Sequence, residues 1–444
     1  MTVTRSGFEK TKTAYNEEKS MMKKFLTVFV SAVCVSSVIS ATDVYLSLSN
    51  HAQRSDLGVA GFVPLTPTVE ESKLSRELQE VLQDDLLFSR YFNIIDDGPM
   101  YTGREEELKD WDSRGASMVI SGSVQISGEG FRLTGRLVDV GSKQVTWEKT
   151  YTGDVLSFRR LAHDLNDDIV QRFTGERGIA HTKIVFSNNQ SGYKELYLAD
   201  YDGHNVRKLT SDNSIDILPK WSPDGSEILY TTYAYNNPDL FLFSINGARK
   251  KPISQSQGLN CAGTFSPDGS QIALTMSRGN LPHLYIIDRS GHVIKKLTAG
   301  LSNNTSPSYA PNGREIVFIS DRSGNPQLYI MSLDGSNVRR LTADGFCDSP
   351  AWSPRGDKIA FTMRRGNGIT YDIYLYDLST GDIIRLTQDE RHNENPSWSP
   401  DGRFIIFSTT RSGKQELYII GADGSGLRKL CDMAGSSNSP SWGP

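Results

Sequence analysis

The sequence predicts a six-bladed β-propeller preceded by a smaller α/β domain, and a recurring turn motif is the main reason. Residues 396–402 read Pro-Ser-Trp-Ser-Pro-Asp-Gly, and close copies of this motif return along the C-terminal part of the chain. Each copy contains one aromatic residue, and subtracting their positions gives spacings of 44, 44, 43, 46 and 44 residues. This period is typical of propeller blades. The six aromatic anchors are Trp221, Phe265, Tyr309, Trp352, Trp398 and Trp442.

The rest of each repeat has the pattern of the strands that complete a four-stranded blade. An alternating apolar segment such as Ile316-Val317-Phe318 follows each turn, and alternation indicates a half-buried strand. Another segment carries a Leu-Tyr type pair, and the last segment ends near a Leu-Thr type pair. The Leu-Tyr type pairs are Leu196-Tyr197, Leu240-Phe241, Leu284-Tyr285, Leu328-Tyr329, Ile373-Tyr374 and Leu417-Tyr418.

The two ends of the repeat region have complementary patterns. The region begins at 183–186 with the pattern of a strand that follows the turn, and it ends at 440–442 with the pattern of a strand that precedes it. The C-terminal strand is therefore predicted to pair with the strand near Ile184 and to close the ring, which removes free sheet edges. The Pro, Asp and Gly of the turns are expected to be architectural. The aromatic anchors are expected to pack between blades and to hold no ligand.

An α/β domain is predicted at residues 55–177, ahead of a propeller at 178–444. Strand patterns lie at 57–65 and 92–95, three more run from 118 to 151, and a charged helix is predicted at 104–111. Two amphipathic helices flank them, because apolar residues recur there on one helical face. These residues are Leu74, Leu78, Val81 and Leu82 in the first helix, and Leu161, Leu165, Ile169 and Phe173 in the last.

The N-terminus has the pattern of an export signal. Lys23 and Lys24 precede an apolar run of 15 residues at 25–39, and small residues follow. A membrane-spanning helix needs about 20 residues, so a cleaved signal peptide at 1–41 is predicted instead of an anchor. The first 20 residues are polar and unusual ahead of a signal, so a non-native extension, with the true start at Met21 or Met22, is an open alternative. The mature protein is expected to start near Thr42 or Asp43, in an N-terminal arm at 42–54.

Composition and spacing exclude several functional classes. The 48 basic and 52 acidic residues leave no nucleic-acid footprint. The seven histidines are isolated, no Cys-x-x-Cys pair occurs, and no Gly-x-Ser-x-Gly elbow is present. The sequence therefore predicts no catalytic residue, no cofactor and no metal site. Cys261, Cys347 and Cys431 are interpreted as small buried residues and not as a disulfide framework.

Three longer stretches resemble the TolB family of the Tol–Pal cell-envelope system. They are Ser-Asn-Asn-Thr at 302–305, Ser-Asp-Arg-Ser-Gly-Asn-Pro-Gln-Leu-Tyr at 320–329, and Phe-Ser-Pro-Asp-Gly-Ser at 265–270. The resemblance implies a periplasmic, monomeric, non-enzymatic adaptor without direct membrane insertion. It implies binding of the lipoprotein Pal through the propeller and of a TolA-like inner-membrane protein through the N-terminal arm. Such an adaptor supports outer-membrane integrity and envelope constriction during cell division.

The resemblance assigns the arm to the TolA-like partner. Asp43, Val44, Leu46 and Leu48 become candidates for adding a strand to a partner sheet. The same alternating pattern fits an ordinary edge strand of the α/β domain, and both interpretations stay open. Residues 51–53 depart from the glycine- and aspartate-rich stretch expected there, which leaves the identity of the partner open.

The resemblance assigns the Pal-binding surface to one mouth of the propeller, on the loops that lead into the innermost strands. Leu259 and Phe346 are expected to be exposed there and to offer apolar contact surface. A solvated loop is the alternative at each position, and a carbohydrate- or peptidoglycan-binding propeller is the alternative function. The candidate residues are Ile215, Asp216, Leu259, Asn260, Asn303, Asn304, Thr305, Phe346, Asp348, His392, Asn393, Glu394, Ser437 and Asn438.

Overall fold

The computed structural model describes residues 54–279, 281–366, 368–388 and 391–444. The predicted signal peptide and the arm residues Asp43, Val44, Leu46 and Leu48 lie outside the described residues. Within these ranges, no helix combines the length and the apolar character that crossing a lipid bilayer requires.

The N-terminal part is a five-stranded mixed sheet with helices on both faces, which confirms the predicted α/β domain. Its elements are β1 (Ser55–Pro64), α1 (Val69–Ser89), β2 (Phe92–Ile95), α2 (Glu105–Ser113), β3 (Met118–Ser127), β4 (Gly130–Asp139), β5 (Gln144–Asp154) and α3 (Phe158–Thr174). The sheet order is β2-β1-β3-β4-β5, with β1 parallel to both of its neighbours. Helices α1 and α3 cover one face, and α2 covers the other.

Local sequence explains how these helices start, end and pack. The Thr68 hydroxyl accepts the backbone N–H of Glu71 at 3.1 Å and caps α1, while Gly175 ends α3 with a left-handed φ of 81°. On the other face Trp111 is fully buried. A Cβ at Gly58 would lie 2.7 Å from the Trp111 ring, so only glycine lets the sheet approach this indole.

The C-terminal part is a ring of six four-stranded sheets, which confirms the predicted six-bladed propeller. The innermost strands are β9 (Asp216–Trp221), β13 (Asn260–Phe265), β17 (Asn304–Tyr309), β21 (Phe346–Trp352), β25 (Asn393–Trp398) and β29 (Ser437–Trp442). The second strands are β6 (Lys183–Asn188), β10 (Glu227–Thr232), β14 (Gln271–Met276), β18 (Glu315–Ser320), β22 (Lys358–Arg364) and β26 (Phe404–Thr409). The third strands are β7 (Glu195–Asp200), β11 (Asp239–Ser244), β15 (His283–Asp288), β19 (Gln327–Ser332), β23 (Asp372–Asp377) and β27 (Glu416–Gly421). The outer strands are β8 (Arg207–Lys208), β12 (Arg249–Ser254), β16 (Val293–Lys296), β20 (Arg339–Arg340), β24 (Ile383–Arg385) and β28 (Arg428–Lys429).

The ring closes through the two ends of the repeat region, as the sequence predicts. Strand β29 pairs antiparallel with β6, and Trp442 lies opposite Ile184 in the register. The Trp442 indole N–H donates to the Thr182 hydroxyl at 2.8 Å. The last blade therefore takes its innermost strand from the C-terminus and its other three strands from the start of the region.

The Ser-Pro-Asp-Gly turns are architectural, in agreement with the sequence interpretation. In the turn that follows β13, the Ser266 hydroxyl donates to Asp268 at 2.5 Å, and the backbone N–H of Ser270 donates to the same carboxylate at 3.1 Å. The Ser266 and Ser270 hydrogen bonds lower the pKa of Asp268 to about 2. Gly269 takes a φ of 70°, which completes the turn.

The aromatic anchors contact the neighbouring blade, as expected, and they also border the central channel. The Trp398 indole N–H donates to the Ala351 carbonyl at 2.9 Å, and that of Trp221 donates to the Ser441 carbonyl at 3.2 Å. All six anchors also line one end of the central channel. The sequence did not predict this second environment.

The α/β domain docks on the propeller surface that carries these turns. Phe88 at the end of α1 stacks on Phe404 with ring centroids 4.4 Å apart, and the Arg428 guanidinium lies 4.0 Å above the Phe88 ring. Beside it, Arg90 donates to the Ser425 hydroxyl at 2.7 Å. Stacking and cation–π contacts therefore fix the two parts against each other.

A buried polar network lies beneath this aromatic contact. Asp85 of α1 accepts hydrogen bonds from the Tyr201 hydroxyl and, at 2.6 Å, from Nδ1 of His163. All three side chains are at least 97% buried, since their exposed fractions are 2%, 2% and 3%. Arg159 of α3 adds an ion pair to Asp202, in the turn after β7. The network joins both helices of the α/β domain to a single blade.

Candidate partner-binding face

The six innermost strands start at one mouth of the propeller, and we call this surface the partner-binding face. Each innermost strand contains a bulge three residues before its aromatic anchor, where the backbone takes a left-handed φ of 49° to 56°. In β17 the bulge places Thr305, Ser306 and Ser308 in half-exposed positions while Asn304 and Pro307 are buried. The bulge residues are Leu218, Ala262, Ser306, Ser349, Asn395 and Ser439. None is glycine, so the ring of bulges stores backbone strain of about 1–3 kcal/mol at each position.

Four of the predicted site residues are fully buried at the first position of their strands. Asp216, Asn260, Asn304 and Asn393 have an exposed fraction of 0%. The Asn260 side chain shows why, because its amide accepts from the Ser254 hydroxyl at 2.7 Å and donates to backbone carbonyls of its own loop. The three asparagines hold their mouth loops in shape through hydrogen bonds to loop carbonyls. Both Asp216 carboxylate oxygens, in contrast, have no partner among the described residues, and none of the four side chains offers a contact surface.

The two predicted apolar contact residues are less exposed than the sequence suggested. Leu259 and Phe346 are half-buried and not exposed. The Phe346 ring is covered by the Arg364 guanidinium, 4.5 Å above its centroid, and Leu259 donates its backbone N–H to the Ser277 hydroxyl at 2.8 Å. Exposed apolar residues of this mouth include Ile215, with an exposed fraction of 44%, and Leu301, in the loop before β17, with 96%.

The remaining predicted residues split by accessibility. Asp348 is exposed, and the half-exposed members are Asn303, Thr305, His392 and Glu394. Asn438 and Ser437 are buried, with exposed fractions of 8% and 7%. Asn303 is held by Asp321, whose carboxylate accepts its backbone N–H at 2.8 Å and its side-chain amide at 2.5 Å.

Two carboxylates of neighbouring blades, Asp348 and Glu394, influence each other electrostatically at the partner-binding face. Desolvation by its surroundings raises the pKa of Asp348 even though part of the residue stays exposed to solvent, and a backbone N–H from Ser349 at 2.7 Å opposes the rise. Burial also raises the pKa of Glu394, and the charge of Asp348 adds to that rise while His392 counters it. The mouth of the channel is therefore acidic.

A row of arginines on the same face was missed by the sequence reasoning. Each follows a second strand and stacks over the tyrosine of the neighbouring third strand. A sequence signal for them exists, because each arginine lies 13 residues after the aromatic anchor of its blade in all four cases. The pairs and their distances are Arg278 over Tyr285 at 5.9 Å, Arg322 over Tyr329 at 4.8 Å, Arg365 over Tyr374 at 5.6 Å, and Arg411 over Tyr418 at 4.5 Å.

One group among the described residues has the composition of a metal site, away from this face. His163, Asp200 and Asp202 bring ligand atoms within 4.8 Å of one another. Both carboxylates already face cations, because Arg159 pairs with Asp202 and the Lys183 ammonium lies 2.5 Å from Asp200. A further positive charge there would be repelled, so we interpret the group as part of the interdomain ion-pair network.

Comparison with known proteins assigns relatives to both domains. A family model described as the TolB beta propeller domain matches residues 170–444, and one described as the TolB amino-terminal domain matches residues 50–146. A Tol-Pal system protein TolB of Desulfosudis oleivorans is 32% identical over 228 residues, which is 49% of this chain and 52% of that protein. One of Geobacter sulfurreducens is 40% identical over 165 residues, 36% of this chain and 38% of that protein. The chain thus spans about half, or less, of the curated relatives that it matches.

A solved structure has the same arrangement over most of the chain. The crystal structure of TolB from Acinetobacter baumannii superposes with a TM-score of 0.74 at 26% sequence identity. The match covers 88% of this chain and 97% of the other. The α/β domain and the propeller therefore occur together, in one molecule, in a protein of that name.

Proposed function

The chain belongs to the TolB family of Tol-Pal system proteins, and from this premise we propose that it is a periplasmic adaptor that binds the lipoprotein Pal. The observation that carries the proposal is the family match over the whole propeller, 170–444, together with an accessible face built from bulged strands. Binding at that face needs no catalytic group. The adaptor would support outer-membrane integrity and envelope constriction during cell division.

The chemistry of the face indicates how a protein partner would be held. Arg278, Arg322 and Arg365 are exposed, and each guanidinium is pre-oriented by the tyrosine beneath it. Pre-oriented arginines lose little conformational entropy when they bind carboxylates, so the rim suits an acidic partner surface. Thr305 and Glu394, half-exposed in the channel mouth, would meet the part of Pal that enters the ring.

Binding is best tested by calorimetric titration of the full chain with the soluble domain of Pal from the same organism. We expect saturable binding that weakens as salt is added, because rim charges are screened. Thr305→Ala should weaken binding by about 1 kcal/mol. Thr152→Ala is the matched control, since Thr152 is an exposed threonine on β5 of the α/β domain. If no heat appeared with the wild-type chain, or if both variants bound alike, the proposed site would be wrong.

The N-terminal arm is proposed to bind a TolA-like inner-membrane protein. The arm leads directly into β1 at Ser55, and the α/β domain is fixed to the propeller through Phe88, Asp85 and Tyr201. We propose that Pal at the opposite face shifts the population of arm states between docking on the chain and release to the partner. Amide hydrogen exchange of residues 43–54 should then change when the soluble domain of Pal saturates the chain. Unchanged exchange would remove the coupling from the proposal.

A further inference from the structure

A cavity of about 370 Å³ lies at the end of the central channel opposite the partner-binding face. The six aromatic anchors line it together with prolines of the adjoining turns. Among the described side chains of its lining, Lys220 is the only cation, and none is a carboxylate. Lys220 is therefore the charged side chain of the lining, and the turn carboxylates of Asp224 and Asp268 lie behind it, hydrogen-bonded to the lining residues Ser222 and Ser266.

A ring of polar side chains surrounds the channel axis in this cavity. Its members occupy one structural position, the residue before each anchor, and all of them line the cavity. Five blades contribute a group that donates hydrogen bonds, an ammonium or a hydroxyl, and one blade contributes an alanine. The ring consists of Lys220, Thr264, Ser308, Ala351, Ser397 and Ser441.

Two of the hydroxyls are oriented as donors by the backbone around them. The Ser308 oxygen accepts the N–H of Trp352 at 3.1 Å, and the Ser397 oxygen accepts the N–H of Trp442 at 3.0 Å. A hydroxyl that accepts in this way keeps its own hydrogen for another partner. Within the part of the chain that the structure describes, neither hydroxyl donates to a protein acceptor. Both hydrogens are thus available to a ligand.

Two further groups in the cavity have unused hydrogen-bonding capacity. Lys220 forms no ion pair or hydrogen bond with a described residue, and burial lowers its pKa to about 8. Tyr309, 7% exposed, carries a buried hydroxyl without a partner among the described residues. The Lys220 side chain is half-buried, and a partly desolvated ammonium without a counter-charge would be stabilised by an anion.

We propose that this end of the channel binds a small oxyanion, a carboxylate or a phosphate, held by the Lys220 ammonium and the hydroxyls of Ser308 and Ser397. One ammonium balances one negative charge, and hydroxyl donors complete the coordination of oxyanion oxygens. The tryptophan side chains next to the hydrogen-bond donors offer apolar faces to an organic part of the ligand, such as a sugar. The volume of the cavity lies in the range of small-molecule sites. The site goes beyond the adaptor function, because it lies at the other end of the channel from the partner-binding face.

Tryptophan fluorescence of the full chain gives a direct binding assay. Trp221, Trp352, Trp398 and Trp442 line the cavity, and they are four of the six tryptophans in the chain. The probes are inorganic phosphate and glucuronate, with uncharged glucose as the ligand control, each titrated to about 10 mM. Saturation by phosphate alone would identify a free phosphate site, and saturation by glucuronate would identify a sugar-acid site.

Two variants of Lys220 and a control that removes a different lysine distinguish binding at this site from a general effect of net charge. Lys220→Met should weaken binding of the anion by about tenfold or more, while Lys220→Arg keeps the charge and stays within about threefold of wild type. Lys109→Met removes an exposed lysine of α2 and should bind as wild type does. Ser308→Ala, a smaller change in the same ring, should weaken binding about threefold and serves if Lys220→Met does not fold.

The proposal is overturned if neither anion saturates the wild-type signal. It is also overturned if Lys220→Met, or Ser308→Ala in its place, binds as tightly as Lys109→Met. A response to glucose equal to that of glucuronate would have the same consequence, since the carboxylate would then have no role. Titration with the soluble domain of Pal monitors the opposite face, so failure of the anion site leaves the adaptor proposal standing.

Discussion

Replacing Tyr201 by phenylalanine tests the buried network that joins the two domains. The ring would remain, with its contacts to Phe88 at 5.3 Å and to His163 at 5.5 Å, and only the hydrogen bond to Asp85 would be lost. Asp85 is 2% exposed, so water cannot replace the lost donor. Burial raises the pKa of this carboxyl, and the hydrogen bonds of His163 and Tyr201 counter the rise. We expect Tyr201→Phe to lower the free energy of unfolding by about 1.5–3 kcal/mol.

Urea denaturation followed by fluorescence and circular dichroism would measure the change. Tyr193→Phe is the control, because Tyr193 is 49% exposed and its loss should cost at most about 0.5 kcal/mol. A double-mutant cycle with Asp85→Asn should give a coupling energy of about 1 kcal/mol or more. A Tyr201→Phe variant as stable as Tyr193→Phe, or a cycle without coupling, would show that this network does not hold the domains together.

Three further outcomes follow from other parts of the molecule. Burial alone would lower the pKa of His163, but Asp85 raises this pKa above the ordinary value of about 6.5. Protonated His163 therefore stabilises the folded protein fully below about pH 6.5, and this contribution is lost as pH rises through the folded pKa. The free energy of unfolding should therefore fall as pH rises above about 6.5. This slope should vanish in His163→Gln but persist in His292→Gln, and equal slopes in the two variants would refute it. Trp442→Ala should cost about 3–5 kcal/mol in chemical denaturation, and a loss below 1 kcal/mol would contradict closure by the last strand. Burial raises the pKa of Cys347 to about 11, so iodoacetamide at about pH 8 should label it only after unfolding, as mass spectrometry would show.

The sequence predicted the architecture well because the repeat carries it. The spacing of the anchors, the turn residues and the complementary ends predict six blades and the pairing of β29 with β6, all of which the structure contains. Amphipathic spacing likewise predicts the α/β domain, where Leu78 and Leu82 are fully buried against the sheet. These features depend on local pattern, and local pattern is what a sequence displays.

The candidate site was predicted less fully, for physical reasons. A residue before proline favours extended backbone, yet Ser306 and Asn395, which both precede a proline, take left-handed conformations. The bulge buries Asn260 and Asn304 and leaves Thr305 accessible, which polarity alone does not indicate. The arginine row depends on stacking across two strands, and the oxyanion ring depends on six blades meeting around one axis. Such groupings become visible only when the ring is assembled.

The partner-binding face is tested most directly by site-specific photo-crosslinking of the full chain to the soluble domain of Pal. Benzoylphenylalanine would replace Ile215 on the partner-binding face or Val338 before β20 on the opposite face, two apolar residues of similar exposure, 44% and 41%. Crosslinking through position 215 and none through position 338 is the predicted result. Crosslinking through position 338 alone, or equally through both positions, would contradict the assignment of Pal to this face.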